Sequence, residues 1–189
     1  MKNENEINTG SVLFFDMDGT LIDTNYANFL SYKKAIELVK KSDFNIAYDS
    51  RGRFNRSLLK KTIRDLTETE LEMIISEKEK YYNDFLPETH LNSKIADILY
   101  KYFKTNKTVL VTNCRKDRAL ATLNYHGLSE IFSDLFFRQF EGNTRFNKFQ
   151  NAISALDISP KLIIAFENEE IEIADAKEAG IQYVNPQIL

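Results

Sequence analysis

The feature that most constrains this chain is a pair of aspartates placed directly after a short apolar run. Residues 11–15 are mostly apolar, and Asp16-Met17-Asp18-Gly19-Thr20 follows them without a spacer. Such an abrupt change from apolar side chains to Asp and Gly predicts a buried strand that ends in a loop. We therefore expect the two carboxylates to lie at the carboxyl end of a strand.

The segment after this loop has helical periodicity. Apolar residues spaced three or four positions apart predict three helices within residues 25–86. Thr67 and Glu70 have the spacing of a capping box at the start of the third helix, and Pro87 is expected to end the helical block. Residues 25–86 are therefore predicted to form a small helical insertion after the first strand.

From residue 87 onward, strand-length apolar runs alternate with amphipathic helices. These runs are predicted strands, at residues 108–111, 135–137, 162–166 and 182–184. Alternation of this kind indicates a parallel sheet covered by helices on both faces. The predicted fold class is α/β, with a core domain of residues 11–24 and 87–189 that contains a doubly wound parallel sheet.

Composition limits the class of protein further. The 189 residues are 43% hydrophobic, which is enough for one core domain with an insertion. The net charge of −3 gives no electrostatic reason to expect binding to nucleic acid or to an anionic membrane. The first ten residues are polar, no apolar run approaches membrane-spanning length, and the single cysteine, Cys114, cannot form an intramolecular disulfide. We expect a cytoplasmic protein, monomeric or weakly homodimeric, with no nucleic-acid or membrane partner.

Polar side chains also follow other predicted strands. Thr112 and Asn113 follow the second strand, Glu167 and Asn168 follow the fourth, and Lys148 lies near the start of the helix between the third and fourth. Ligand sites in such sheets gather at the carboxyl ends of the strands. We therefore expect these side chains to share one site with the two aspartates.

This set of residue types suits phosphoryl transfer. A carboxylate can attack phosphorus and form an acyl-phosphate, which divides hydrolysis into two easier steps. Because a phosphoryl group is anionic, carboxylates that face it need a cation between them, and Mg²⁺ prefers oxygen ligands. A lysine and a threonine hydroxyl can hold the phosphoryl oxygens while charge shifts in the transition state.

The same residues carry a resemblance to a known family. Phe14-Phe15-Asp16-Met17-Asp18-Gly19-Thr20-Leu21-Ile22-Asp23-Thr24 resembles the first motif of the haloacid dehalogenase-like (HAD) superfamily, in its phosphatase branch. Three further motifs are similar, namely Val109-Leu110-Val111-Thr112-Asn113, Lys148, and the run from Phe166-Glu167-Asn168 to Ala179-Gly180. The helical insertion resembles the type 1 cap of phosphoglycolate phosphatase and β-phosphoglucomutase-like proteins.

The resemblance implies a magnesium-dependent phosphatase that hydrolyses a small phosphomonoester through an aspartyl-phosphate. Asp16 is implied as the nucleophile and Asp18 as the general acid and base. The implied phosphate-binding residues are Thr112, Asn113 and Lys148, and the implied Mg²⁺ ligands are Asp16, the backbone carbonyl of Asp18, Glu167 and Asn168.

Asn168 departs from the family's pattern, which has an aspartate at this position. An amide oxygen can still bind Mg²⁺, but one negative charge is missing, so a weaker metal site is expected. Glu172 corresponds to a later acidic position of the same motif. Two alternatives stay open: a phosphomutase of the β-phosphoglucomutase type, and a catalytically impaired binding or regulatory protein.

Two arginines of the insertion, Arg51 and Arg53, are candidate contacts for the non-reacting part of an anionic substrate. A solvated basic turn explains them equally well.

Overall fold

The computed structural model describes residues 7–41, 46–50, 52–139 and 146–185. Five parallel strands form the main sheet: β1 (Val12–Phe15), β4 (Lys107–Val111), β5 (Asp134–Phe136), β6 (Ile163–Phe166) and β7 (Tyr183–Val184). Two short strands, β2 (Ile22–Asp23) and β3 (His90–Leu91), pair with each other. The main sheet has the order β5-β4-β1-β6-β7. The predicted doubly wound parallel sheet is therefore confirmed.

Strand β1 lies at the centre of the sheet, and the order in which strands are added changes direction there. It pairs in parallel with β4 on one side and with β6 on the other. The chain builds one half of the sheet, returns to the centre and then builds the other half. In sheets of this type, the crevice for a ligand lies at the carboxyl ends of the strands at this switch point.

Both faces of the sheet are buried, which is why its strands are continuously apolar. Leu13 and Phe15 of β1 pack into one core cluster, whereas Val12 and Phe14 pack into a second one on the other face. The helices that cover the sheet are α4 (Ser93–Tyr102), α5 (Lys116–Tyr125), α6 (Lys148–Leu156) and α7 (Glu170–Glu178).

The chain divides into two compact units. The core unit contains residues up to Ile22 and from Leu91 onward, and the helical unit spans Asp23–His90. The helical unit contains α1 (Asn25–Lys40), α2 (Arg56–Thr62), α3 (Glu68–Tyr81) and a 3-10 helix at Tyr82–Glu88. Its own apolar cluster includes Phe29, Ile36, Leu59 and Ile74.

Most predicted elements are present within one or two residues of their expected bounds. The capping box at the start of α3 is confirmed, since Thr67 and Glu70 exchange both hydrogen bonds. The prediction that Pro87 ends the helical block is wrong, because Pro87 lies inside the 3-10 helix. Among the described residues, no helix has the length and apolar character that crossing a membrane requires.

Candidate active site

Strand register brings two of the predicted site residues side by side. Phe15 of β1 pairs with Phe166 of β6, so the residues that follow, Asp16 and Glu167, leave the sheet next to each other. The Asp16 N–H donates to the Phe166 carbonyl at 3.0 Å, which fixes the backbone where the strand ends. Both acidic side chains are buried.

Lys148 connects these two carboxylates. Its Nζ donates to Asp16 Oδ1 at 2.8 Å and to Glu167 Oε2 at 2.7 Å, and the residue is only 5% exposed. Its position follows from the local sequence, because Asn147 caps α6 by accepting from the backbone N–H groups of Phe149 and Gln150. Lys148 is therefore the first residue of α6, and its side chain enters the site from a fixed helix end.

Glu172, from the first turn of α7, is a third carboxylate at the same ammonium group. Its Oε2 is buried and lies 3.2 Å from Lys148 Nζ, as an ion pair without hydrogen-bond geometry. Its Oε1 accepts from Asn113 Nδ2 at 2.7 Å. Three carboxylates thus share one ammonium group.

This crowding of charge shifts the pKa values of the cluster. Burial raises the pKa of Asp16, and the opposing attraction of Lys148 does not cancel that effect. Burial and the neighbouring charge of Asp16 raise the pKa of Glu167 to about 7. Burial alone would lower the pKa of Lys148, but the three carboxylates around it raise the value above its usual range. The lysine is therefore the firmly charged member of the cluster.

Hydrogen bonds hold both the side chain and the backbone of Glu167. Glu167 Oε1 accepts from the backbone N–H groups of Asn168 and Glu169, at 2.9 and 3.1 Å. On the other side, Asn185 Oδ1 accepts from the Glu167 N–H at 2.8 Å, and Asn185 Nδ2 donates to the Glu167 carbonyl. Asn185 follows β7 with a φ of 49°, a left-handed conformation that asparagine adopts more readily than most residues.

Asn168 lies against the loop that follows β1. The Thr20 hydroxyl donates to Asn168 Oδ1 at 2.9 Å. Gly19 has a φ of +87°, and a β-carbon at that position would lie 2.7 Å from Asn168 Nδ2. Glycine is therefore needed at residue 19 both for its conformation and for the close approach of Asn168.

Thr112 and Asn113 follow β4 at the same edge of the sheet. Thr112 is buried, and its hydroxyl accepts from the Cys114 N–H at 3.1 Å, so it stabilises the turn in which it lies. Asn113 is exposed and reaches Glu172. The structure thus connects Asn113 to the carboxylate cluster directly.

Asp18 is paired with an arginine that the sequence analysis did not identify. Arg118 Nη2, from α5, donates to Asp18 Oδ2 at 2.7 Å, and Arg118 Nε donates to Cys114 Sγ at 2.9 Å. The side chains of Asp18 and Arg118 are 7% and 11% exposed. Asp18 is therefore held by a different cation from the one that holds Asp16.

The described contacts do not test the two candidate substrate contacts of the insertion. Arg53 lies in the helical unit and interacts with other groups of the chain. Arg51 lies outside the described residues. Their assignment as substrate contacts stays a prediction.

The donor chemistry of the site fits a divalent cation. Among the residues that the structure describes, four carboxylates and two cations lie in these ion pairs, an excess of two negative charges if all are ionised; the residues are Asp16, Asp18, Glu167, Glu172, Lys148 and Arg118. Unpaired buried charge is costly, so a doubly charged ion with a preference for oxygen would balance the set. Within the described part of the chain, no three His, Cys, Asp or Glu side chains are arranged to hold a metal by themselves. A metal would therefore also need carbonyl oxygens, which Asp18 and Asn168 can offer.

Arg118 and Asn185 are the two site residues that sequence reasoning missed. Asn185 could have been predicted, because it directly follows β7 and polar residues at strand ends gather at one edge of the sheet. Arg118 lies in the first turn of α5, and its contact with Cys114, which precedes that helix, left no pattern in the sequence that could have been recognised.

Comparison with known proteins identifies the family of this chain. The sequence profile of the haloacid dehalogenase-like hydrolase family matches residues 13–185. The chain belongs to this family, as its motifs predict. Hydrolases of the family generally use a divalent metal ion. A search of curated proteins found no match.

Solved structures share the fold at low sequence identity. A hydrolase of the family from Streptococcus pneumoniae superposes with a TM-score of 0.74 at 17% identity, over 94% of this chain and 84% of that one. A protein described as a predicted phosphoglycolate phosphatase from Haemophilus somnus gives 0.74 at 20% identity, over 93% and 84%. CbbY from Rhodobacter sphaeroides, solved in complex with phosphate, gives 0.74 at 18% identity, over 93% and 86%. At these identities the likeness establishes the fold.

Proposed function

We propose that the protein is a magnesium-dependent phosphatase that hydrolyses a small phosphomonoester through an aspartyl-phosphate at Asp16. The observation that carries the proposal is the cluster around Lys148, in which one ammonium group contacts Asp16, Glu167 and Glu172. A buried excess of negative charge beside a potential nucleophile is relieved either by protonation, as the raised pKa values of Asp16 and Glu167 indicate, or by a bound cation. Family membership and structural neighbours that include phosphatases support the same reaction.

In the first step, a carboxylate oxygen of Asp16 attacks phosphorus, and the bond from phosphorus to the ester oxygen breaks. Asp18 gives its proton to the departing oxygen. In the second step, water attacks the aspartyl-phosphate and transfers a proton to Asp18, and the bond between phosphorus and Asp16 breaks. Inorganic phosphate leaves, and both aspartates return to their starting states.

Lys148 has two functions in this scheme. It holds Asp16 at a fixed place before attack, and its positive charge can stabilise the phosphoryl oxygens in the transition state. Thr112 and Asn113 are proposed to hold the same oxygens from the end of β4. Asn113 is connected to the cluster through Glu172, which supports this assignment.

The proposed Mg²⁺ ligands are Asp16, the backbone carbonyl of Asp18, Glu167 and Asn168. Bound Mg²⁺ would neutralise charge between the carboxylates and the phosphoryl group. Glu172 is added as an acidic neighbour of this set, because its buried Oε2 shares the Lys148 ammonium group with Asp16 and Glu167. A small phosphate ester in the cytoplasm remains the proposed substrate class.

The test is turnover of p-nitrophenyl phosphate and a panel of metabolite phosphates by the purified protein with MgCl₂. Asp16→Asn should abolish turnover. Asp157→Asn is the matched control, since Asp157 is exposed in the core unit and its left-handed backbone accepts asparagine. No turnover on any substrate, together with no Mg²⁺ binding by calorimetry, would contradict the proposal. Accumulation of a sugar bisphosphate would identify a mutase instead.

A further inference from the structure

A buried arginine contacts the proposed acid and base of the reaction. The side chain of Arg118 is 11% exposed, and its Nη2 lies 2.7 Å from Asp18 Oδ2. Arg118 and Asp18 are 100 residues apart in the sequence, so this pairing exists only in the folded core unit. Removing a guanidinium from water is costly, and its partners must compensate for that cost.

The guanidinium group is fixed by a second contact as well. Arg118 Nε donates to Cys114 Sγ at 2.9 Å, and Cys114 is itself 2% exposed. Because the guanidinium is planar and rigid, two contacts through different nitrogens fix its orientation as well as its position. A fixed guanidinium, in turn, fixes the carboxylate that it contacts.

The contact also distinguishes the two oxygens of Asp18. The hydrogen bond from Arg118 occupies Oδ2, and an N–H can donate to this oxygen whether or not the carboxyl group carries a proton. Arg118 can therefore stay in contact with Oδ2 in both protonation states of Asp18. Asp16, the attacking group, is held by another residue, because Lys148 Nζ donates to Asp16 Oδ1 at 2.8 Å.

We infer that Arg118 is a positioning residue for Asp18, holding its carboxyl group in place so that it gives a proton to the leaving oxygen and later takes one from water. This inference rests on the proposed phosphatase function. It predicts a selective defect, in which proton transfer to the leaving group is impaired while attack by Asp16 is retained.

The experiment compares two substrates that differ in their need for a proton. The p-nitrophenolate group leaves readily without protonation, whereas the phenolate of phenyl phosphate depends more on the acid. Values of kcat/KM report on events up to transfer of the phosphoryl group, so their ratio for the two substrates isolates the help given to the leaving group. The variants are Arg118→Met, Arg118→Lys and Cys114→Ala, with Arg115→Met as an exposed control in the same segment.

Arg118→Met should lower kcat/KM for phenyl phosphate about tenfold more than for p-nitrophenyl phosphate, which is a modest part of the usual effect of general acid catalysis. Arg118→Lys should restore part of the ratio, and Arg115→Met should leave it unchanged. Equal losses on both substrates, or no loss, would overturn the inference. If Arg118→Met does not fold, the Cys114→Ala variant provides the test. The inference then requires that kcat/KM falls more for phenyl phosphate than for p-nitrophenyl phosphate, by a smaller factor than expected for Arg118→Met. An unchanged ratio of the two kcat/KM values refutes the inference. Absence of turnover in the wild-type protein would instead refute the proposed function.

Discussion

The side-chain amide of Asn168 lies so close to Gly19 that a β-carbon at residue 19 would be 2.7 Å from Asn168 Nδ2. The loop after β1 and the loop after β6 are therefore in direct contact, and the Thr20 hydroxyl adds a hydrogen bond between them. This contact connects the proposed nucleophile loop to the proposed metal-binding loop, and it makes residue 19 a sensitive position for substitution.

Gly19→Ala should reduce both stability and activity. Alanine at a φ of +87° costs about 1–2 kcal/mol in backbone energy, and its methyl group must also displace Asn168. The measurement is urea unfolding together with turnover. Gly127→Ala is the matched control, because Gly127 has a φ of +69° but nothing within 4 Å of its added β-carbon. A loss of activity as large in the control would refute the proposed role of the contact.

Asn168→Asp should tighten Mg²⁺ binding. The substitution keeps an oxygen for the Thr20 hydroxyl and adds one negative charge, which next to a divalent ion is worth on the order of 1 kcal/mol or more, or about tenfold in affinity. Calorimetric titration with MgCl₂ measures the change. Asn124→Asp is the control. It adds the same charge at an exposed position near the carboxyl end of α5 and should have little effect on Mg²⁺ affinity. Unchanged affinity in Asn168→Asp would exclude residue 168 from the metal site.

Asn185→Gly should destabilise the core unit. Glycine keeps the left-handed backbone but removes the two hydrogen bonds to the backbone of Glu167, so we expect a loss of about 1–3 kcal/mol in the free energy of unfolding. Asp157→Gly is the control, since Asp157 has a φ of 50° and is exposed at the end of α6. Equal changes in the two variants would mean that the side chain of Asn185 contributes nothing.

Glu70 should make the helical unit sensitive to acid. A hydrogen bond from Lys40, followed in size by one from the Thr67 backbone, lowers the pKa of Glu70 to about 2 from its usual 4.5. Because the folded-state pKa is the lower one, the stabilisation is fully present above about pH 4.5 and disappears as the pH falls towards 2.

Unfolding of the Glu70→Gln variant at several pH values measures this effect. The variant should be less stable than the wild type at pH 7, and the difference should vanish near pH 2. Glu72→Gln, an exposed change in the same helix, should show no such pH-dependent gap. A difference between Glu70→Gln and wild type that stays constant from pH 7 to 2 would rule out the ionised carboxylate as its cause.

The strands could be predicted because burial on both faces of a sheet requires continuous apolar runs in the sequence. The apolar runs before Asp16, Thr112 and Glu167 correspond to β1, β4 and β6, and parallel register then brings the following residues to one edge. The convergence of Lys148 on Asp16 and Glu167 was expected for the same reason. The two-residue strands β2 and β3 were not foreseen, since so short a segment has no periodicity to detect.

The pairing of side chains was much harder to predict. That Asp18 contacts Arg118 while Asp16 contacts Lys148 depends on the direction in which each side chain leaves its helix or loop. Hydrophobic periodicity contains no information about such directions. The hydrogen bond between Asn185 and the backbone of Glu167 likewise depends on the left-handed conformation of Asn185, which follows an edge strand. The catalytic and metal-binding roles of these residues stay predictions.

Lys148 also has a consequence for the order in which the molecule can fold. Its contact with Asp16 joins positions 132 residues apart, and the ammonium group can bridge Asp16 and Glu167 only when β1 and β6 are neighbours in the sheet. Closing such long loops is slow, because their entropy must be lost before the contact forms. The cluster is therefore complete only when the central strands have assembled, and the backbone amides around it should be among the last parts of the core unit to acquire protection from hydrogen exchange.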